Sequence, residues 1–571
     1  MKLFVIVTGI LTAPFLTAQT IPTNAKNACP LPAATFNSWF VTGTPTLNGV
    51  VNPADSTQVL SPNCGFYAWS KQMFLWLTSP APPNYGGGGG RIFDSPTFFD
   101  VSPEDSHFQR TFIPHPAGFV RPVGIRIPPL GPHGLPVIFD KTGRMLEVEP
   151  PKLTPAGQQL VRTVSGNFAE IGRVTLAPNR KLAFLDTAGK PIQPLLAAQP
   201  KTRAKVVAAS SLAPIAVQKF VVAGLPVFID PFGNIVDVEQ GQSDGSVLES
   251  QSGSLVYYAT TVNDVYAYFL TGLKNGGISP APTHFPTTAA DLSAIVTFAA
   301  AHGRTFPDPN ALAIEVKSSW VEASTLANAS SYLTMQGTVP TYDKTNPNQW
   351  VPNGQKTVTL ALVGMHVVGS TAQHPEMVWA TFEHFGNTPN ATYSYTNTAN
   401  ATVQINQSSA GSWQFATGGS GGPFNNAHMF MSGSDIVPNL PSFPTISASD
   451  TARWRPWGMP GSSASANTEV ISMHNNVLGM MPAGDVRNNY VMTGATWTIP
   501  GNIPPAGQVG TNQLANSTME TYEQATCTSA SQNPCTAFAV GSNCLNCHTS
   551  TTPGILSHVF GGATTGLKPL F

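Results

Sequence analysis

Alternating apolar and polar residues predict that this chain is rich in β-strands. Between residues 310 and 405, Ala313–Trp320 and Lys356–Val368 alternate in polarity and are rich in β-branched residues, as half-buried strands are. Residues 66–77 differ, because aromatic residues and methionine recur there at helical spacing and predict a buried amphipathic helix. Residues 254–273 predict a strand followed by a helix.

One short pattern recurs three times, at residues 136–146, 182–192 and 226–236. Each copy is an apolar segment, then Asp-x-x-Gly, then a second apolar segment. The aspartate side chain can bond to the turn backbone and glycine can adopt a positive φ, so each copy predicts a β-hairpin. The alternative, a calcium-binding loop at each aspartate, lacks the further oxygen ligands that such a loop needs.

The composition fits an exported, loop-rich protein. Charged residues form only 10% of the chain, well below the roughly 25% typical of soluble domains. The 51 glycines and 52 prolines indicate frequent turns, and the formal net charge is −1 without any basic or acidic block. These features exclude a surface built for nucleic acid or for an anionic membrane.

The first 18 residues predict a signal peptide. Lys2 supplies a short positive region, Leu3–Leu16 is apolar, and Thr17–Ala18 provides small residues before a cleavage site. A membrane anchor is the alternative, but threonine, glycine and proline interrupt the apolar run, which is short for a span. No later segment has 18 uninterrupted apolar residues, so we expect a periplasmic or secreted protein with no membrane attachment after cleavage.

The chain has six cysteines, an even number, in a compartment expected to be oxidising. Local pairing predicts two disulfides, Cys29–Cys64 and Cys527–Cys535, although the other pairings of these four thiols stay open. The remaining two cysteines are Cys544 and Cys547.

Residues 544–548 have the sequence Cys-Leu-Asn-Cys-His, which is the attachment pattern of a c-type haem. Two thiols at this spacing can add across the haem vinyl groups, and the adjacent His548 can ligate the iron. With 6 Cys and 12 His in the chain, chance would produce the pattern about once in a thousand such sequences. A zinc site lacks a second ligand pair nearby, and a thioredoxin-like pair belongs early in an α/β domain. The sequence therefore predicts one covalent haem c.

The sequence leaves the identity of the second axial ligand of this iron open. No methionine follows His548, although a downstream methionine is usual in small cytochromes. We expect His558, with Met519 or an open, water-bound position as alternatives. Further upstream candidates, which could also contribute to the haem pocket, are His428 with Met429 and Met431, and His474 with Met473, Met480 and Met481.

A second cluster of possible ligands comprises His366 and the segment 374–384. His374, Glu376, Glu383 and His384 are residue types that bind a metal or act as acid and base. Their spacing differs from H-E-x-x-H, so a purely structural role is the favoured interpretation.

The segments FYAWSKQMFLWL, IEVKSSW, HPEMVWATFEH, RNNYVMTGATW and LANSTMETYEQ, together with CLNCH, resemble large exported bacterial proteins of the cytochrome c family. The resemblance is scattered over most of the chain. It implies haem attachment at Cys544 and Cys547 and iron ligation by His548. It implies no catalytic residue, substrate or partner.

The predicted fold is mainly β, of α+β type: a large β-rich body followed by a short helical C-terminal segment. The expected regions are a signal peptide (1–18), an N-terminal β-rich region with the hairpin repeats (19–300), a central β-rich region (301–510) and a haem-binding segment (511–571). The predicted function is single-electron transfer with a redox partner protein or a small-molecule donor or acceptor. The alternatives are a haem-dependent oxidoreductase acting on a small organic substrate, or a binding protein with structural haem.

Overall fold

The computed structural model describes most of the chain after the predicted signal peptide. The described residues are 21–86, 90–103, 109–116, 118–125, 137–139, 145–149, 152, 154, 159–176, 182–196, 215–222, 225–236, 246–407, 411–417, 427–432, 434–439, 443–459, 463–504, 506–511, 514, 516–519, 544–548, 551–557, 559–561 and 566–571. Strand residues make up 34% and helical residues 21% of this part, which confirms the predicted mainly β class. The predicted signal peptide, residues 1–18, lies outside the described residues.

The α-helices are α1 Ala33–Trp39, α2 Cys64–Leu77, α3 Asp264–Lys274, α4 Ala289–Ala301, α5 Ala464–Met480, α6 Cys544–Cys547 and α7 Pro553–Leu556. The first strands are β1 Phe98–Val101, β2 Gln109–Arg110, β3 Phe112–Pro114, β4 Arg121–Pro122, β5 Val137–Phe139, β6 Met145–Glu149, β7 Leu160–Arg162, β8 Phe168–Glu170, β9 Arg173–Leu176, β10 Leu182–Leu185, β11 Pro191–Ile192, β12 Ile215–Val222, β13 Leu225–Ile229 and β14 Ile235–Val236. The others are β15 Ser246–Val247, β16 Tyr257–Asn263, β17 Ile314–Glu322, β18 Thr334–Asp343, β19 Val351–Thr371, β20 His374–His384, β21 Tyr393–Thr396, β22 Thr402–Ile405, β23 Met429–Ser432, β24 Asp435–Pro438, β25 Tyr490–Thr498, β26 Gln508–Gly510 and β27 Gly566–Leu567.

A ten-stranded sheet organises the body. Eight strands follow the order β26-β25-β20-β19-β17-β16-β1-β3, while β18 pairs with β19 and β4 pairs with β18. Neighbours along the main path are antiparallel. Strands from both sides of residue 300 therefore share one sheet.

Helices α2 and α5 cover one face of this sheet, and helix α3 lies on the other. Phe74 of α2 stacks on Phe382 of β20, with ring centroids 4.3 Å apart. Helix α5 packs beside α2, and their apolar side chains join those of one sheet face in a single core cluster. Helix α3 and the C-terminal residues contribute to a second apolar cluster, which includes Val262, Val368 and Trp379 of the opposite face. The sheet is thus buried on both sides.

The hairpin repeats form as predicted. Antiparallel pairs join β5 with β6, β10 with β11 and β13 with β14. Asp186 accepts hydrogen bonds from the backbone N–H groups of Ala188 and Lys190, and Gly189 has φ +80°. The turn beginning at Asp230 repeats this arrangement. The first repeat's aspartate, Asp140, lies outside the described residues.

The predicted Cys29–Cys64 disulfide is present and joins the N-terminal segment to the start of α2. Cys527 and Cys535 lie outside the described residues. The long helix α5 differs from the β-rich, polar region expected between residues 301 and 510. Its sequence is a weak helix former, and packing against α2 and β21 stabilises it. Within the described ranges, no helix is long and apolar enough to cross a membrane.

Candidate functional site

Residues 517–518, 548 and 557 lie on the sheet face opposite α2. Alternate residues of a strand face the same side, so Glu315, Lys317 and Ser319 of β17 point away from the α2 side. Directly paired residues of neighbouring strands share a face. Three rows therefore cross this face: Val262, Glu315, Val368 and Trp379 in the first, Thr260, Lys317, His366 and Thr381 in the second, and Tyr258, Ser319, Gly364 and Glu383 in the third.

The Cys-x-x-Cys-His residues lie over the first row. Cys544–Cys547 forms the single turn α6, and the backbone N–H of His548 extends it by donating to the carbonyl of Cys544 at 3.0 Å. The side chain of Leu545 is fully buried in the second apolar cluster. His548 is 3% exposed and its ring stacks on Trp379, with centroids 4.4 Å apart. The main body thus fixes the position of this imidazole.

A buried hydrogen-bond network holds the next segment on the same row. The Ser557 hydroxyl donates to the Glu315 carboxylate at 2.6 Å and lies 2.5 Å from the Tyr266 hydroxyl of α3. Burial raises the pKa of Tyr266, and the nearby Glu315 carboxylate adds to the increase. The Tyr266 hydroxyl therefore stays protonated and available as a hydrogen-bond partner.

A turn at residues 516–519 covers the third row. The Ser517 backbone N–H and hydroxyl donate to the two oxygens of Glu383 at 2.8 and 2.5 Å. The Thr518 hydroxyl lies 2.7 Å from the Ser319 hydroxyl. Gly364 allows this approach, because a Cβ atom there would lie 2.4 Å from the Thr518 hydroxyl oxygen. The next residue of this turn, Met519, is 1% exposed.

Phe560 and Leu567 are tied to α3. The ammonium of Lys274 donates to the carbonyls of Phe560 and Leu567 at 2.6 and 2.7 Å. Strand β27 pairs in parallel with β2. Burial lowers the pKa of Lys274 to about 8. Several separate contacts therefore integrate the C-terminal segment with the body.

The structure places the predicted ligands unevenly. His548 and α6 lie against the sheet, whereas His558 is outside the described residues. His474 and Met473, two of the upstream candidates, lie on the other sheet face, because α5 packs against α2 there and His474 contacts Lys71. His428 stacks on Phe443, and its neighbours Met429 and Met431 belong to the cluster on that other face. The apolar surroundings of α6 come instead from α3, β20 and Phe285.

The second cluster of possible ligands is dispersed. His374 pairs with Glu376 at 2.7 Å at one end of β20. At the other end, Glu383 pairs with Arg453 at 3.2 Å, while the Gly386 N–H donates to the His384 ring. Across the described part of the chain, no group of three or more His, Cys, Asp or Glu residues is arranged to hold a metal ion. The favoured structural interpretation of these side chains accounts for their contacts.

Sequence reasoning missed Trp379, Ser557 and Tyr266. Trp379 lies inside the segment 374–384, but its role depends on a contact with His548, which is distant in the sequence. The sequence offered one indication of this position: the alternation of β20 predicts that Trp379 and Thr381 share a face.

No known protein family, curated protein or solved structure matches this sequence. Its function therefore has to be inferred from the residues themselves.

Proposed function

We propose that this chain is an exported c-type cytochrome that carries one covalent haem and transfers single electrons. Cys544 and Cys547 would form the two thioether bonds, and His548 would ligate the iron. The observation that carries the proposal is the Cys-x-x-Cys-His sequence in one helical turn with its imidazole held against Trp379.

The residues around the motif fit a haem. Cys544 and Cys547 are three positions apart in α6, a spacing that puts two residues on the same side of a helical turn. Leu545 of this turn belongs to one apolar cluster with Leu556, Val559, Phe560 and Phe285. An apolar wall is what a porphyrin requires. When bound, the haem supplies one-electron exchange at its iron.

The protein residues have supporting roles in this proposal. Trp379 stacks on the His548 ring and would restrict its orientation. The Ser557–Glu315 hydrogen bond holds the chain beyond the motif on the sheet. The buried apolar side chains exclude water from this region, and low solvent access is one determinant of haem potential.

The cellular setting belongs to the same proposal. A disulfide at Cys29–Cys64 supports an oxidising compartment, as does the signal-peptide pattern of residues 1–18. The electron donor or acceptor would be a redox protein or a small molecule. The resemblance to exported cytochrome c family proteins points the same way.

Haem attachment is directly testable. The full chain is expressed with its leader in a host that matures c-type cytochromes, and haem is measured after denaturation by the pyridine haemochrome spectrum and by peroxidase staining of gels. We expect one haem per chain that resists extraction, and complete loss of covalent haem in the variant Cys544→Ser/Cys547→Ser.

The matched control is Cys29→Ala/Cys64→Ala, which removes two other thiols and should retain covalent haem. Wild-type protein without covalent haem, or a Cys544→Ser/Cys547→Ser variant that keeps it, would show the proposal to be wrong.

A further inference from the structure

A series of contacts leads from the Cys-x-x-Cys-His motif towards the protein surface. It begins at His548, whose buried ring stacks on the indole of Trp379 with centroids 4.4 Å apart and planes inclined by 30°. The next contact is a hydrogen bond, in which the indole N–H of Trp379 donates to the carbonyl oxygen of Glu376 at 3.0 Å. Two contacts therefore connect the imidazole of the motif to a residue near the start of β20.

The Glu376 side chain extends this series to the neighbouring strand β25. One of its carboxylate oxygens accepts hydrogen bonds from the backbone N–H and the hydroxyl of Thr498, at 3.1 and 2.8 Å. The same oxygen lies 2.7 Å from the His374 ring. Glu376 and Thr498 are both fully buried. Because buried hydrogen-bond networks of this kind hold their members in fixed positions, the connection between the two strands is rigid.

The series ends in the hairpin between β25 and β26. Thr498 is the last residue of β25, and Ile499 and Ile503, which follow it, are 39% and 60% exposed. The backbone N–H of Ile499 donates to the carbonyl of Gly507 at 2.9 Å and closes the loop of this hairpin. The buried imidazole of His548 is thus linked, through one stacked ring and two sets of hydrogen bonds, to side chains that solvent reaches.

The backbone of β20 is irregular where Trp379 meets Glu376. Met377, which lies between them in the sequence, has φ +66°, in the left-handed region that residues other than glycine rarely adopt. The register of β20 with β19 also shifts at this end of the strand. Such irregularities re-aim side chains, and strained residues cluster at functional sites. The fold therefore accepts a conformational cost at the point where the indole bonds to Glu376.

From these contacts we propose that Trp379 is an electron-relay residue, which couples the haem iron through His548 to the β25–β26 hairpin. The inference rests on the proposed haem attachment and adds the route that the electron takes. Electrons tunnel faster through bonds, hydrogen bonds and stacked rings than across gaps, and every step of this series is one of these. In one transfer the ferrous iron loses one electron and an external one-electron oxidant at the hairpin gains it. Trp379 mediates the tunnelling without itself being oxidised, and no proton moves.

The test measures electron transfer inside the purified holoprotein. Ile503→Cys supplies a thiol on the hairpin for a ruthenium photosensitiser, and a laser flash with an oxidative quencher makes this label accept one electron from the ferrous haem. With the label at residue 503, Trp379→Leu should lose most of the transfer rate, because it removes both the stacked ring and the indole N–H. Trp379→Phe keeps a ring beside His548 and should give an intermediate rate. The phenylalanine variant decides the question if the leucine variant fails to fold.

The matched control carries the same label on α4, in Val296→Cys. Val296 is 37% exposed, and its helix packs on α3, which follows β16, four strands from β25 in the sheet order. The transfer rate from the haem to this second label should be the same with and without Trp379→Leu. The reduction potential and the ferric absorption spectrum should also stay unchanged in both Trp379 variants, whereas a residue that only positions His548 would alter them.

Transfer rates to residue 503 that do not change in either Trp379 variant would overturn the inference. Equal losses of rate to both labels, or a loss accompanied by a shifted reduction potential, would overturn it as well, because Trp379 would then act only by positioning His548. Haem attachment is scored separately by the haemochrome of denatured protein. Covalent haem with unchanged transfer rates refutes only the relay, whereas absent covalent haem refutes the proposed function.

Discussion

Removing the Cys29–Cys64 disulfide should destabilise the body by a calculable amount. The bond closes a loop of sequence separation 35 and anchors the N-terminal segment to the first residue of α2. In the chain-entropy description, a loop of this length restricts the unfolded chain by about 13 cal/mol/K, which is about 4 kcal/mol at 25 °C. The change to test is Cys29→Ala/Cys64→Ala. Alanine is preferred to serine because Cys29 is 0% exposed, and a buried hydroxyl would add its own cost.

The assay is guanidinium unfolding followed by tryptophan fluorescence, since Trp39 of α1 and Trp69 and Trp76 of α2 report on the elements next to the bond. We expect the free energy of that transition to fall by about 4 kcal/mol in the variant. Wild type treated with a reductant should lose a similar amount, whereas reductant should not change the variant. Hydrogen exchange should accelerate first between residues 29 and 64.

A fall in the free energy of unfolding of less than about 1 kcal/mol would refute the reasoning. The bond would then add little restriction to the unfolded chain, as happens where that chain is already compact. A variant that loses haem while keeping its unfolding transition would also contradict it. The disulfide lies on the α2 side of the sheet, and α6 lies on the other side.

Three further predictions concern buried polar groups. Burial lowers the pKa of Lys71 well below its usual value, so the folded amine loses its proton at a lower pH than the unfolded amine does. The free energy of unfolding should therefore rise as the pH increases towards about 10, and the same slope in Lys71→Met would contradict this. Burial lowers the pKa of His384 to about 3, so acidification below pH about 6.5 should remove roughly 1.4 kcal/mol of stability per pH unit; His384→Gln should lack that slope. Ser557→Ala deprives Glu315 of a 2.6 Å hydrogen bond and should lower the free energy of unfolding by about 2 kcal/mol. Proteolysis near the C-terminus should be faster in this variant than in the control variant Thr551→Ala. Equal proteolysis of the two variants would argue against this anchoring role.

Local rules in the sequence predicted much of the fold. The aromatic spacing of residues 66–77 predicted α2, and each Asp-x-x-Gly predicted its hairpin, because both depend on residues within a few positions. The pairing of Cys29 with Cys64 followed from proximity along the chain. The mainly β class followed from alternation.

Long-range pairing was outside those rules. Alternation assigns His366 to a face of β19, but only the register with β17 and β20 shows which side chains lie beside it. In the same way, His474 has the chemistry of an iron ligand, and only the packing of α5 against α2 shows that it lies on the sheet face opposite α6. Candidate ligands could thus be found by residue type, whereas the tertiary structure was needed to show which of them lie near one another.

Elements far from the Cys-x-x-Cys-His motif in the sequence form much of its surroundings. Trp379 of β20 contacts His548, and Tyr266 of α3 contacts Ser557. Lys274 of α3 binds the carbonyls of Phe560 and Leu567. These contacts exist only in the folded body and are lost when it unfolds. On the proposed function, haem burial and the stability of the body should therefore be thermodynamically linked. On the proposed function, the body acts as a wall of the haem site, and its sheet would set the solvent exposure on which the reduction potential depends.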